Sequence, residues 1–356
     1  MSRRPTPGGN DVTGPTLADV AAAAEVSRQT VSNVVNAPHR VKPETRERVE
    51  QAIDRLGYRP NRLARSLRTQ SSHLIGYRID PDDVDALAQV VDRFLHALAG
   101  AARAAGYQLL LFTSDEQGDE ITTYTELYGS AAVDGFVLSG TDRLDASAMH
   151  TLLERRVPVV TFGRTDVDDR HPWVDVDNSE GTAEVVADLH ARGHRRIAFL
   201  GWPTSSRVGN ARHEGWRTAC ERLGLAPAGW DRRGADTVAD GARMAAELLS
   251  GPERPTAVVC CSDSLAVGCL GAAKRHGLTV GKDLAIVGYD DTPTARVLDP
   301  PLSSVRQPIE EVGRTIVELF AAARTGGPGD NGTPYEGVLL SPRLVVRASS
   351  EGPAPN

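Results

Sequence analysis

Residues 28–33 set Arg28, Gln29, Thr30, Ser32 and Asn33 around one apolar position, Val31. Helical spacing gathers Val31, Val34 and Val35 on one face and turns the five polar side chains away from it. A guanidinium pairs with guanine, an amide with adenine, and hydroxyls with phosphates, so this face suits reading a DNA major groove. A second set lies further along. Arg164, Arg212, Ser262, Asp263 and Asp290 supply guanidinium, hydroxyl and carboxylate groups, with Phe162, Trp173 and Trp202 among the aromatic residues near them in the pattern. Carboxylates and guanidinium groups make paired hydrogen bonds to adjacent hydroxyls. Aromatic planes stack on the apolar faces of sugar rings. Together these groups describe polyol binding.

The elements that must position the first set are legible locally. Thr16 followed by Asp19 predicts a capped helix start, with Leu17, Val20 and Ala21 on its buried face. Ala24, Glu25 and Val26 form a tight connection. Ser27 caps a second helix over 28–35. A third helix opens at 42–45 and runs to Leu56, with Val49, Ile53 and Leu56 inward, and Gly57 stops it. Two short helices joined by a tight turn match the unit whose second helix enters the major groove. Arg59, Arg62, Arg65 and Arg68 then surround Ala64 and Leu67, after Pro60, which suits a helix entry. So short a helix is marginal in isolation, and its like charges repel until a polyanion neutralises them. Such a segment folds on DNA, where Leu67 can wedge between base pairs in the minor groove. The competing reading is a small helical domain or interaction bundle with a solvated basic face; Val31 and Val34 are core under both.

Charge is distributed to match. Residues 1–72 hold 12 Lys and Arg against 7 Asp and Glu, a surplus of +5, so the remainder carries −12 of the net −7. A basic head on an acidic body directs the head at nucleic acid. No apolar run is long enough to cross a bilayer. Residues 1–15 are polar, with Gly and Pro; they lack a signal-peptide pattern and are expected to form a disordered tail. Four cysteines, Cys220, Cys260, Cys261 and Cys269, have no paired-ligand spacing and read as buried thiols of a cytosolic protein rather than a metal site or disulfide.

Beyond residue 72 the pattern becomes α/β. Strands are expected at 73–79, 108–113, 135–139 and 157–162, with helices at 86–105, 120–128 and 144–155. After a bridging strand at 173–178 the alternation restarts. Helices are expected at 179–192, 210–223, 239–250 and 264–276, and strands at 195–201, 257–261 and 284–289. A short strand at 303–307, a helix at 309–324 and one last strand at 338–346 close the body. Near-continuous apolar strands alternating with helices predict a doubly wound parallel sheet. Ligands of such sheets lie beyond the carboxyl ends of the strands, which singles out Arg164, Trp202, Ser262, Asp263 and Asp290. Asp291 reads as a helix cap and Trp216 as core; His194 suits a turn.

Residues 16–68 resemble the DNA-binding headpiece of the lactose-repressor (LacI/GalR) family of bacterial transcription regulators, on TLADVAAAAEVSRQTVSNVVN, VKPETRERVEQAIDRLGYRPN and NRLARSLR. The likeness continues to about residue 348 through DGFVLSG, DNSEGTAEVVADLHARGHRRIAFLG, RHEGW, SDSLAVGCLGAAKRHGLTVGKDLAIVGYDD and PPLSSVRQ. It implies an all-α helix-turn-helix headpiece (16–58) and hinge helix (59–70). A two-lobed α/β, periplasmic-binding-protein-like effector and dimerisation domain (71–348) and a tail (349–356) would follow. Three crossings would join the lobes near 175–178, 304–308 and 326–333. Arg28 and Gln29 would read bases, with Asn33 a third reading position, and Ala64 and Leu67 would belong to the hinge helix. Thr16, Ser27, Thr30, Ser32, Asn36, Asn61 and Arg65 complete the candidate DNA contacts. Arg212 and Asp290 would hold the effector, with Ser262 beside them and Arg164 replacing a contact that Gly163 lacks.

The expected protein is an allosteric DNA-binding repressor without a cofactor. It would be a homodimer on a near-palindromic double-stranded operator, at the nucleoid, controlled by a mono- or disaccharide. A nucleoside or purine effector is the alternative. No nucleophile elbow, phosphate loop or metal-ligand cluster supports an enzyme, and a sugar-modifying enzyme fused to a DNA-binding head is the remote alternative.

Overall fold

The computed structural model describes residues 14–59, 71–79, 89–113, 120–140, 146–165, 171–325 and 337–352. The chain divides into two compact units, Met1–Ser72 and His73–Asn356.

The first unit holds three helices, α1 (Leu17–Ala23), α2 (Arg28–Asn36) and α3 (Pro43–Leu56), with a 3-10 turn at Pro38–Arg40. Thr16 and Asp19 form a reciprocal capping box: Asp19 N donates to Thr16 Oγ1, and Thr16 N donates to Asp19 Oδ2 at 2.7 Å. This satisfies two donors that a helix start leaves without intrahelical partners. Glu25 turns the chain at φ 52. Ser27 Oγ then accepts from Thr30 N at 3.0 Å and starts α2. Gly57, at φ 64, stops α3 in the left-handed conformation that glycine adopts without a Cβ penalty. Val20, Val31, Val34, Val49 and Tyr58 make the small core. The hinge candidates Asn61, Ala64, Arg65 and Leu67 lie outside the described residues.

The second unit contains two six-stranded sheets. The first runs β2 (Gln108–Phe112), β1 (Leu74–Arg78), β3 (Phe136–Leu138), β4 (Val159–Phe162), β5 (Trp173–Val176), β11 (Val338–Leu340), and all its pairs are parallel. The second runs β7 (Asp231–Arg233), β6 (Ile197–Gly201), β8 (Ala257–Cys260), β9 (Ala285–Tyr289), β10 (Ser303–Arg306), β12 (Arg343–Val345), parallel except for β12. The shared order means that each lobe is one doubly wound unit with its own switch point.

Helices follow the strands. In the first lobe α4 (Gln89–Ala104) packs on α12 (Ile309–Arg324), and Phe94, Leu98, Ile316 and Phe320 bury against the sheet. The helices α5 (Glu120–Gly129) and α6 (Ala146–Glu154) contribute Tyr124, Met149 and Leu152 to a second cluster with Phe136. In the second lobe α7 (Asn178–Ala191) packs on α8 (Arg207–Arg222), and α9 (Val238–Leu249) on α10 (Asp263–Arg275). A short helix α11 (Pro293–Val297) follows β9. At Gly215 of α8, a Cβ would stand 2.1 Å from the Ser179 carbonyl oxygen, so only glycine permits the approach to α7.

The chain changes lobe between β5 and α7, between β10 and α12, and between β11 and β12. The last change differs from expectation. One strand over 338–346 is broken at Ser341–Pro342, and its two halves belong to different sheets. Because α12 and β11 both belong to the first lobe, the third crossing falls at Ser341–Pro342 and not over 326–333. Residues 326–336 lie outside the described residues. The expected tail also starts too early: Ser349 and Ser350 are buried. Ser303 N donates to Ser349 Oγ at 2.8 Å, and Ser349 Oγ donates to Ile286 O at 2.6 Å, so one short hydroxyl closes backbone groups of β10 and β9. No described helix is long and apolar enough to cross a membrane.

Candidate functional site

On α2, Val31 and Val34 are buried and fix the rotation of the helix. Ser27, Arg28 and Gln29 are consequently exposed, and Thr30, Ser32 and Asn33 half-buried. Ser27 and Thr30 face each other, Oγ to Oγ1, at 2.9 Å. Gln29 Nε2 donates to Asn33 Oδ1 at 3.0 Å. Asn36 closes the helix. The structure thus leaves these side chains wholly or partly exposed beside the buried valines, presenting a guanidinium, two amides and three hydroxyls. Thr16 is exposed and forms the capping box at the start of α1.

In the second unit a cavity of ≈ 220 Å³ is lined by both lobes. Gly163 and Arg164, just after β4, form one wall with Asp175 and Val176 of β5 and Leu339 of β11. Asp177, Asn178 and Ser179 at the first crossing lie beneath, and Arg207, Val208 and Ala211 of α8 face them. Ser206 and Asp177 cap α8 and α7, accepting from Gly209 N at 3.1 Å and from Glu180 N at 2.9 Å. Both helix N-termini therefore open on the cavity side, where backbone donors and the helix dipole favour acceptor groups.

Arg212 is one residue beyond this lining and only 3% exposed. Its Nε donates to Asn178 Oδ1 at 2.8 Å, its Nη1 to Cys261 O at 2.5 Å, and it meets Asp290 Oδ1 at 3.6 Å. Its guanidinium lies 3.6 Å from the Tyr289 ring centroid and 5.0 Å from that of Trp202, a cation–π arrangement on two aromatic rings. Burial opposes its charge, but Asp290 foremost holds the proton more firmly than usual. Asp290 accepts from Gln307 Nε2 at 2.6 Å and takes a φ of 105. Burial lifts Asp175, Asp236 and Asp290 above the usual carboxylate range, while the Arg212 charge counteracts it in all three. One guanidinium thus pairs with Asp290 and offsets the burial of Asp175 and Asp236 at longer range. Acceptors of this kind suit a ligand that brings its own hydroxyl donors.

The remaining candidates separate. Trp173 carries the Arg164 guanidinium 4.8 Å from its ring centroid, while Arg164 N donates to Asp175 Oδ2 at 3.3 Å. Phe162 packs on Phe94 with centroids 4.9 Å apart and acts as core. Ser262 faces inward: it caps α10 and donates to Asp236. Asp263 also faces inward. Its oxygens accept from Ser304 Oγ at 2.6 Å and from Thr292 N and Oγ1, both at 2.8 Å. Asp291, expected to cap a helix, instead accepts from Arg306 and Arg347 inside the second lobe. His194 is buried beside Thr256 Oγ1 at 3.1 Å, and burial drives its pKa down to about 4. Trp216 is core and donates Nε1 to Ile197 O at 3.1 Å. Sequence reasoning did not single out Asp175 and Arg207, which line the cavity, or Asp236, which accepts from Ser262. Asp175 alternates with the inward Val174 and Val176 along β5, a signal that could have found it.

A helix-turn-helix face and a two-lobed ligand cleft in one chain define a DNA-binding regulator. Residues 16–61 match the family model described as bacterial regulatory proteins, lacI family, and residues 186–350 match the periplasmic binding protein-like domain. The chain is 31% identical to the HTH-type transcriptional repressor CytR of Escherichia coli K12 over 339 residues, 95% of this chain and 97% of CytR. Among solved structures, the lac repressor dimer bound to operator and an anti-inducer is 31% identical, covering 95% of this chain and 99% of its own, with a TM-score of 0.76. A complex of the transcriptional regulator CelR with cellobiose is 32% identical over 94% of this chain and 100% of its own, with a TM-score of 0.70. The chain belongs to the LacI family of bacterial regulatory proteins. It is a helix-turn-helix transcriptional regulator with a periplasmic-binding-protein-like effector domain, and its relatives are repressors rather than enzymes.

Proposed function

We propose that the protein is a cytoplasmic, homodimeric repressor of a near-palindromic operator, controlled by a sugar of one or two rings. Arg28, Gln29 and Asn33 read bases, Ser27, Thr30 and Ser32 hold phosphates, and Leu67 of the hinge segment contacts the minor groove. Two copies are needed because two-fold operators match two-fold proteins. The observation that carries the effector class is the cavity of ≈ 220 Å³ lined by Arg164, Asp175, Asp177 and Arg207, with the Arg212–Asp290 pair buried directly behind it. Vicinal hydroxyls of a sugar ring donate to such carboxylates and accept from arginine. The cellobiose held by CelR supports the same class. Asp175 and Arg207 join Arg164 as the wall contacts, with Arg212 and Asp290 buried behind the lining.

Ligand binding and DNA binding are then reciprocally coupled. A thermal-shift screen of the full chain against mono- and disaccharides, nucleosides and purines tests the effector class. A ligand at about 100 times its dissociation constant adds roughly 2.7 kcal/mol of stability. A saccharide hit that also changes operator affinity is the expected result. A nucleoside or purine hit with silent sugars overturns the sugar assignment and leaves the regulator class standing.

A further inference from the structure

Gln29 and Asn33 sit one turn apart on α2, and their amides are already joined. Gln29 Nε2 donates to Asn33 Oδ1 at 3.0 Å. Four residues advance a helix by little more than one turn, so the two side chains share a stripe, and buried Val31 and Val34 hold that stripe outward. The bond determines what the pair can offer a base. One donor of Gln29 and one acceptor site of Asn33 are engaged. The outer ends of the joined pair are the Gln29 Oε1 acceptor and the Asn33 Nδ2 donors, with the second Gln29 N–H also unengaged. Rotating both amides exchanges the roles and again leaves an acceptor on one residue and a donor on the other.

In the major groove adenine alone presents an acceptor, N7, beside a donor, N6. Guanine presents two acceptors, cytosine a donor, and thymine an acceptor with a methyl group. We propose that Gln29 and Asn33 act as one reading unit that recognises a single A·T pair, its adenine edge spanned by the joined amides. Arg28, which carries donors only, reads a separate position. The proposal rests on α2 being the base-reading helix. It differs from two independent contacts in one respect: removing either amide releases the other from its fixed orientation.

The experiment is selection of a random-sequence duplex library by the full chain, followed by sequencing of the bound fraction. Parent, Gln29→Ala, Asn33→Ala, the double variant and Arg28→Ala are compared. Thermal denaturation confirms that each is folded. Both single variants are expected to lose adenine preference at one and the same position. A bidentate base contact discriminates by ~5- to ~150-fold, which sets the size of the loss. The double variant should lose no more than either single variant. Losses at two different positions, a double loss equal to the product of the singles, or a shared position that is not A·T would each overturn the proposal. A parent without sequence preference, or one that Arg28→Ala and all other variants leave unchanged, refutes α2 as the reading helix. The joint reading falls with it.

Discussion

Arg212 Nε donates to Asn178 Oδ1 at 2.8 Å, fixing α8 to the first residue of α7, just after the chain first passes between lobes. Through Asp290, 3.6 Å from the same guanidinium, the connection extends to Gln307 at the second passage. A single buried cation therefore links both crossings.

Replacing it should be costly. Arg212→Ala leaves Asp290 and Asp236 desolvated without their counter-charge, and breaking a buried pair from one side costs ~3–5 kcal/mol. Urea denaturation should show a correspondingly lower midpoint. A variant as stable as the parent would mean that those carboxylates are satisfied by Gln307 and Ser262 alone.

Acid should favour the fold at Asp263. Burial, followed by the charge of Asp290, raises its pKa from 3.8 to about 7. The folded chain therefore binds this proton more tightly than the unfolded chain. The associated stability is complete below about pH 4 and lost as pH rises to about 7, by up to roughly 4 kcal/mol. Denaturation midpoints of parent and Asp263→Asn across pH 4 to 8 should diverge, the parent losing more stability on the way up. Parallel curves would show that the carboxyl does not titrate in this range.

Asp175 should matter to ligand and not to DNA. Its carboxylate lines the cavity, with Oδ1 accepting from Val176 N at 2.7 Å and Oδ2 from Arg164 N at 3.3 Å, one bond to each oxygen. Hydrogen bonds to charged groups contribute about 1.5–3 kcal/mol. Asp175→Asn should thus weaken binding of the sugar found in the thermal-shift screen by ~10-fold or more. Titration calorimetry measures this, and operator affinity without sugar should stay unchanged. Equal sugar affinity in parent and variant would remove Asp175 from the contact set.

Gly215 should resist even alanine. The added methyl meets the Ser179 carbonyl at 2.1 Å, a backbone atom that cannot turn aside. Overpacking costs typically ~1–3 kcal/mol, more than the helix propensity that alanine brings. The melting temperature of Gly215→Ala reports it, and an increase would show that α7 can slide away.

What could be read from sequence was local. The Thr16–Asp19 box, the Ser27 cap and the Gly57 stop each depend on residues within one turn, and the alternation of apolar strands with helices identified both lobes. What could not be read depended on distant partners. Val338–Leu340 and Arg343–Val345 look like one strand until Val174 and Val305 claim one half each. Ser349 and Ser350 have the composition of a tail, but Ser303 and Ile286 need their hydroxyls. Asp263 follows β8 as a cleft residue should, yet Ser304 and Thr292 draw its carboxylate inward. The start of α8 came three residues earlier than the apolar pattern suggested, because Ser206 caps it.

The break at Ser341–Pro342 restricts how the cleft can open. Only two residues separate β11 at the edge of one sheet from β12 at the edge of the other. Three Cα steps reach at most roughly 11 Å, so the tether is nearly inextensible. The lobes cannot be drawn straight apart at that edge. They can swing or twist, with the short tether acting as a pivot, and the mouth must widen most at the points farthest from it.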